Sequence, residues 1–407
     1  MNSNNTRYEI TVVLLCFLAW GFVFMDRLVI SFLMPVIQPA LGITNTQVGQ
    51  LGFATSIFYV ISAVFFGVMS DKLGYRKKVI VPLLFLTGVA SAAGVFAQTF
   101  TQLFIIRCFV GIFEGPMLPL MMSLVQNVSN EKRFGMNAGI VNCGVGAIGT
   151  TTGAILVTQL AAHYSWQNTF LLSSLPTFLI AVLFILFIKE TKINAKEATK
   201  EKVKPMEVFK YRNVIICCFI GILGMCGYWT GMLFAPLYLV NVAKLSVQTM
   251  GWIASLMGVL YVIYCFIVPS LSDKFGRRPV MMAAFFLSAL SPLAMFLFEG
   301  TTSSVVMYVI FGGFAASMTP IYMTLVPMET VPITLLATAN AVVMGAGDLF
   351  GTAGYPMIAG SIADARGLPF MMLFAAILLF INIFLTCMLK ETHPRKQKIA
   401  DCPNVTA

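Results

Sequence analysis

The sequence predicts an all-α membrane protein with twelve transmembrane helices in two pseudo-symmetric six-helix halves. Three observations carry this expectation. The composition suits lipid rather than water. The apolar runs have the length of membrane spans. The chain also matches itself at a shift of about 201 residues.

Of 407 residues, 58% are hydrophobic and only 10% are charged, with 35 Phe and 25 Met. A soluble domain carries about 25% charged residues. A water-soluble fold with this balance exposes apolar patches and aggregates. Helices are the element to expect, because they satisfy their own backbone polar groups in lipid. The alternating ten-residue segments of a membrane β-barrel are absent.

The charges are clustered, and the runs between clusters fall at about 10–38, 47–69, 79–98, 101–128, 135–162, 167–188, 213–242, 247–271, 279–298, 303–328, 332–362 and 367–389. Each is long enough to cross a hydrocarbon core of ~30 Å as a helix. The expected domains are a six-helix bundle at 1–188, a linker at 189–212, a second bundle at 213–390 and a tail at 391–407. The first span is expected to be retained rather than removed as a signal peptide, because no small-residue cleavage site follows a short apolar region.

Of 26 Lys and Arg, 22 fall on one side of this map, Lys244 and Arg366 fall on the other, and Arg27 and Arg107 lie within spans. The positive-inside rule places both termini and the linker in the cytoplasm, as for a multi-pass protein of a cell (inner) membrane. The net charge of +10 is therefore a topology signal. Anionic lipid headgroups are the expected partners of the basic loops, and nucleic acid is not expected. Three Asn-x-Ser/Thr sequons, at Asn4, Asn127 and Asn404, map to the cytoplasmic side and read as chance matches. Nine cysteines show no CxxC pair or metal spacing, so no disulfide framework, metal or cofactor is expected. A monomer is expected.

The internal repeat pairs Phe113 and Pro119 with Phe314 and Pro320, Pro35 with Pro236, and Lys189-Glu190-Thr191 with Lys390-Glu391-Thr392. After a one-residue slip, Tyr59 matches Tyr261, and Ser70-Asp71-Lys72 matches Ser272-Asp273-Lys274. Parallel halves of this kind place a substrate site between them near the midplane. A duplicated helical bundle without transport is the bland alternative.

The loop after the second span reads Gly67-Val-Met-Ser-Asp71-Lys-Leu-Gly74-Tyr-Arg76. Gly67 is expected to allow close helix approach, Asp71 to pair with a basic residue or cap a helix, and Gly74 to permit a tight turn. The second half echoes it with Asp273, Gly276 and Arg277. A charged latch that breaks on switching is one reading, and a solvated topology-setting loop is the other. With two copies at matched positions, the chain resembles the major facilitator superfamily over essentially its whole length. The resemblance implies that fold and a rocker-switch cycle.

Charges at membrane depth are costly and mark functional positions. The first span carries Asp26 and Arg27, the fourth carries Arg107 and Glu114, and the eleventh carries Asp348. Seven residues are nearly two helical turns, so Arg107 and Glu114 share a face about 10 Å apart. Their second-half counterparts are Gly227, Tyr228, Tyr308 and Ala315, so the fold itself does not require the charges. Internal salt bridges that merely clamp the first and fourth spans are the alternative. Pro116 and Pro119 are expected to bend the fourth span beside Glu114.

The Asp26-Arg27 pair, Tyr59, the fourth-span pattern, Asn142-x-Gly144 and Trp166-x-x-x-Phe170 together resemble the anion:cation symporters. That group includes bacterial hexuronate and galactonate transporters and sialin. The resemblance implies proton-coupled symport of a small organic anion, a sugar acid or other carboxylate. It implies substrate contacts at Arg27, Tyr59 and Arg107 and proton carriage by Asp26 and Glu114. Asn142 and the midplane aromatic Tyr228 join the expected substrate contacts, and Asp348 the expected proton carriers. The alternatives are a carrier of a neutral sugar, drug or lysolipid, or a transport-like membrane sensor. No Ser-His-Asp, metal or nucleotide constellation points to an enzyme.

Overall fold

The computed structural model describes residues 3–73, 75–190, 205–332 and 335–392. The side chains of Asn4 and Asp71, Gly74, most of the expected linker (191–204) and the tail from 393 onward, with Asn404, lie outside the described residues. The described elements are helical. They are α1 (Ser3–Leu41), α2 (Asn45–Leu73), α3 (Lys77–Phe96), α4 (Phe100–Val128), α5 (Arg133–His163), α6 (Trp166–Phe187), α7 (Arg212–Asn241), α8 (Val247–Phe275), α9 (Arg277–Leu297), α10 (Thr302–Thr330), α11 (Leu336–Ala346 continuing through Tyr355–Arg366) and α12 (Leu368–Cys387). Among the described residues, eleven of these are long and apolar enough to cross a membrane. The exception is α11, the expected span at 332–362. It is helical, but Asn340, Asp348, Asp364 and four glycines between 345 and 354 dilute its apolar character.

The chain divides into two compact units. One is Met1–Lys200 with Leu239–Val259, and the other is Glu201–Tyr238 with Leu260–Ala407. The repeat seen in the sequence is legible in each unit. In the first, α4 crosses α2 at two glycines. A β-carbon built on Gly111 would lie 2.2 Å from the Thr55 carbonyl oxygen, and one on Gly115 would lie 2.2 Å from that of Tyr59. In the second, a β-carbon on Gly313 of α10 would lie 3.0 Å from the backbone of Tyr261 on α8. Glycine lets the two backbones approach within a distance that any side chain forbids. Gly115→Ala is therefore expected to lower the melting temperature or prevent folding, because backbone cannot yield as a side chain tip can. Overpacking costs about 1–3 kcal/mol or more. Thermal denaturation of the purified protein, with Gly67→Ala as control, measures it.

Gly67 itself corrects an expectation. A β-carbon there would meet nothing within 4 Å among the described residues, so it marks no close helix approach among them.

The Lys-Glu-Thr repeat turns out to be a pair of helix caps. The Glu190 carboxylate accepts from the backbone N–H of Lys77 (3.3 Å) and Lys78 (3.0 Å) at the start of α3. The Glu391 carboxylate accepts from Arg277 (2.9 Å) and Arg278 (3.1 Å) at the start of α9. A carboxylate satisfies the unpaired amides there and opposes the positive end of the helix dipole.

Two further devices repeat. Residues Val145–Thr152 of α5 and Gly347–Gly354 of α11 are π-helical, at matching places in the two halves. Beside the first, Gly144, Gly149 and Gly153 abut Phe17, Phe24 and Met25 of α1. Within the second, Gly347 and Gly351 abut Gly221 and Met225 of α7. Helix α4 is also interrupted, with a turn at Gly115 and Pro116 between its Phe100–Glu114 and Met117–Val128 parts. Proline removes an amide donor and stops the helix one turn past Gly111, leaving Glu114 at the break.

Candidate functional site

The first unit gathers four ionisable side chains. Asp26 and Arg27 are neighbours on α1, and successive helical residues point about 100° apart. The two side chains accordingly reach different helices. Asp26 is fully buried and accepts hydrogen bonds from Thr177 on α6 (2.6 Å) and Ser91 on α3 (3.2 Å). Arg27 is also buried. It donates to Ser56 on α2 (3.3 Å), and its guanidinium lies 4.6 Å from the centre of the Tyr59 ring. Cation–π contacts of this kind strengthen when desolvated.

Arg107 and Glu114 project from one face of α4, and both are fully buried. The Arg107 guanidinium stands 5.2 Å from the Phe170 ring of α6. Gly94 makes room for that ring, since a β-carbon there would lie 2.5 Å from it. No guanidinium nitrogen of Arg107 and neither carboxylate oxygen of Glu114 makes a hydrogen bond to a described residue. The four groups nevertheless feel one another. Glu114 interacts electrostatically with Arg27, Asp26 and Arg107, and Arg107 with both acids. A clamp that merely held α1 to α4 would show Arg107 and Glu114 hydrogen-bonded, because breaking such contacts in a dry interior is costly. Here the strongest donor and the strongest acceptor of α4 are both left with bonding capacity.

Each of the other expected residues has its own setting. Tyr59 joins the cluster through Arg27. Asn142 is exposed on α5 and donates to the Ala138 carbonyl of its own helix (3.0 Å). Tyr228 is half-buried in the second unit, edge-on to Trp229 at 5.6 Å. Asp348 is half-buried in the π-helical part of α11 and in electrostatic reach of Tyr322, both in the second unit. Arg76 donates to Ser70 (2.6 Å) and Ser123 (3.0 Å). Arg277 pairs with Asp273 and with Glu329 (2.7 Å) and also donates to Ser272 (2.7 Å). Glu329 in turn accepts from Thr392 (2.6 Å).

Sequence reasoning passed over Ser56, Ser91, Thr177 and Glu329. Hydroxyls inside an apolar run bond their own helix or serve a neighbour, and Ser91 and Thr177 meet the one acid of α1 within reach.

Comparison with known proteins fixes the family. The model of the Major Facilitator Superfamily matches residues 16–354 and again 243–401. The chain belongs to this superfamily. It is a member of a transporter superfamily and not an enzyme. The hexuronate transporter of Bacillus subtilis (strain 168) is 28% identical over 266 residues, which cover 62% of this chain and 63% of that one. The chain thus spans less than two thirds of that relative. The sialic acid transporter NanX of Escherichia coli (strain K12) is 25% identical over 73% of this chain and 74% of that protein. The crystal structure of a bacterial homolog to the human lysosomal transporter Spinster, inward-facing and unoccupied, superposes with a TM-score of 0.77 at 16% identity, covering 93% of this chain and 96% of that one. At that identity the likeness shows the fold alone.

Proposed function

We propose that the chain is a proton-coupled symporter that imports a small organic anion by alternating access. Arg107 and Arg27 bind the substrate carboxylate with Tyr59 beside them, and Asp26 and Glu114 carry protons. The observation that carries this is the buried Arg107–Glu114 face of α4, whose charged atoms make no hydrogen bond to described residues. The relatives named as hexuronate and sialic acid transporters support an organic acid as the solute.

The chemistry follows from charge balance. With all four groups ionised, two acids offset two arginines, and an incoming carboxylate meets no net positive field. A proton on Glu114 or Asp26 uncovers one guanidinium. Its planar fork then accepts the carboxylate through two parallel charge-assisted hydrogen bonds. The loaded cluster is neutral again, so it crosses the membrane interior without an uncompensated charge. Proton and anion binding therefore favour each other. We further propose a cell-membrane location with both termini in the cytoplasm, on the asymmetry of Lys and Arg.

Uptake of radiolabelled carboxylates into proteoliposomes tests the proposal. A sugar acid should accumulate when the outside is acidic relative to the lumen and should only equilibrate when the gradient is collapsed. Accumulation that ignores the gradient, or transport of neutral sugars alone, would overturn it.

A further inference from the structure

Two hydroxyls of the first unit do something their neighbours do not. On α3 and α6, Thr87, Thr169, Ser173 and Ser174 each donate to a backbone carbonyl three or four residues back. That is the usual use of a hydroxyl inside an apolar helix. Ser91 and Thr177 are fully buried and instead reach across to α1. Each donates to one oxygen of the Asp26 carboxylate, at 3.2 Å and 2.6 Å. The surface that carries them is firm, because α3 and α6 pack closely: a β-carbon on Gly88 of α3 would lie 3.0 Å from the Phe178 ring of α6. In the second half the positions about 201 residues on are Gly227, Pro292 and Leu378, so the acid and both hydroxyls are missing together.

The same helix sets the height of the opposing charge. Phe170 stands beside the Arg107 guanidinium, and Thr177 lies seven residues further along α6. Seven residues are nearly two turns, so the two share a face about 10 Å apart along the axis. Asp26 accordingly feels Arg107 and Glu114, yet no nitrogen of Arg107 is hydrogen-bonded to either acid. A carboxylate left free beside a desolvated guanidinium closes on it through paired charge-assisted hydrogen bonds. Such closure by Asp26 would cover the donors a substrate needs, and a proton on Glu114 would not lift it. We infer that Thr177, with Ser91, is a positioning residue: it holds the Asp26 carboxylate off Arg107 and so keeps the guanidinium open to an incoming carboxylate. This role rests on the carrier function proposed above for its substrate, while the restraint on Asp26 does not.

Thermal unfolding and binding are measured on the purified full chain at one pH. The first readout needs no substrate. Thr177→Val removes the hydroxyl and keeps the shape of the side chain. The freed carboxylate oxygen then turns to Arg107, so the melting temperature should stay close to that of the wild type. In the Arg107→Met background that replacement partner is gone, and the same change should lower the melting temperature by several degrees. Independent sites would simply add. Equal effects of Thr177→Val in the two backgrounds overturn the restraint, as do equal effects of Ser91→Ala, which runs the same cycle at the other oxygen. The second readout is calorimetric binding of D-glucuronate. Thr177→Val should weaken it by roughly tenfold at unchanged stoichiometry, because the ligand must displace one charge-assisted hydrogen bond. Thr177→Ser keeps the hydroxyl and should retain the wild-type affinity. A residue that merely tied α6 to α1 would lower stability and the number of competent molecules, and leave their affinity alone. Unchanged affinity in the Thr177→Val protein, or equal weakening in Thr177→Ser, overturns the positioning role. If the wild type binds no glucuronate while the effect of Thr177→Val on unfolding still depends on Arg107, the organic-anion proposal fails and the restraint on Asp26 stands.

Discussion

Arg107→Met is expected to leave the protein at least as stable as the wild type while lowering carboxylate uptake more than about a hundredfold. The two halves of this expectation come from one observation. The Arg107 guanidinium is fully buried, faces the Phe170 ring and makes no hydrogen bond to a described residue. A methionine of similar reach refills the space with apolar atoms and removes a desolvated charge, which is often neutral or stabilising. Binding, by contrast, loses a bidentate pair of charge-assisted hydrogen bonds, each of about 1.5–3 kcal/mol. Thermal unfolding and initial uptake rates, measured on the same preparation, check both halves. A strongly destabilised variant would show that Arg107 is a structural strut. Retained uptake would remove it from the substrate site.

Glu114→Gln is expected to abolish accumulation driven by a pH gradient while substrate exchange across the membrane continues. The amide is a permanent stand-in for the protonated acid. It leaves the arginines uncovered and the anion bound, but it carries no proton back. Counterflow of preloaded substrate should therefore survive, and net uptake against a concentration gradient should not. The position of Glu114 at the α4 break, between Gly111 and Pro116, keeps its backbone surroundings unchanged by this near-isosteric swap. Asp26→Asn is a harsher change, because Asp26 already accepts two hydrogen bonds from Ser91 and Thr177. If the Glu114→Gln protein still concentrated substrate, the proton would have to travel by Asp26 or another group.

Much of the fold was legible because lipid imposes a simple code. Apolar length marks a span, and the repeat marks two halves. The run at 332–362 was legible as a span too, although glycines and Asp348 make α11 the least apolar of the twelve helices. The four charges of the cluster were legible for the same reason, since an ion in hydrocarbon stands out against Phe, Leu and Val. Their partners were not, because Ser56, Ser91 and Thr177 are unremarkable letters until the helices are placed side by side. Gly67 misled, since a glycine in a helix has several uses and sequence does not say whether a neighbour lies opposite. Asn142 was expected on the resemblance and Tyr228 as a midplane aromatic of the second half; Asn142 lies on an exposed face and Tyr228 is half-buried in the second unit. The role of Lys-Glu-Thr was also hidden, because a cap is a relation between residues more than a hundred positions apart.

The matched π-helical stretches in α5 and α11 affect how mutational data on this protein should be tabulated. A π turn holds more residues than an α turn. Each extra residue shifts the angular phase of everything after it by roughly a quarter turn, about 100°. A helical wheel drawn straight through residues 133–163 or 336–366 would therefore assign the residues after Thr152 and after Gly354 to the wrong side. A cysteine-accessibility scan along either helix should show its accessible stripe jump sideways at these two places, and the jump should occur at the same point in both halves.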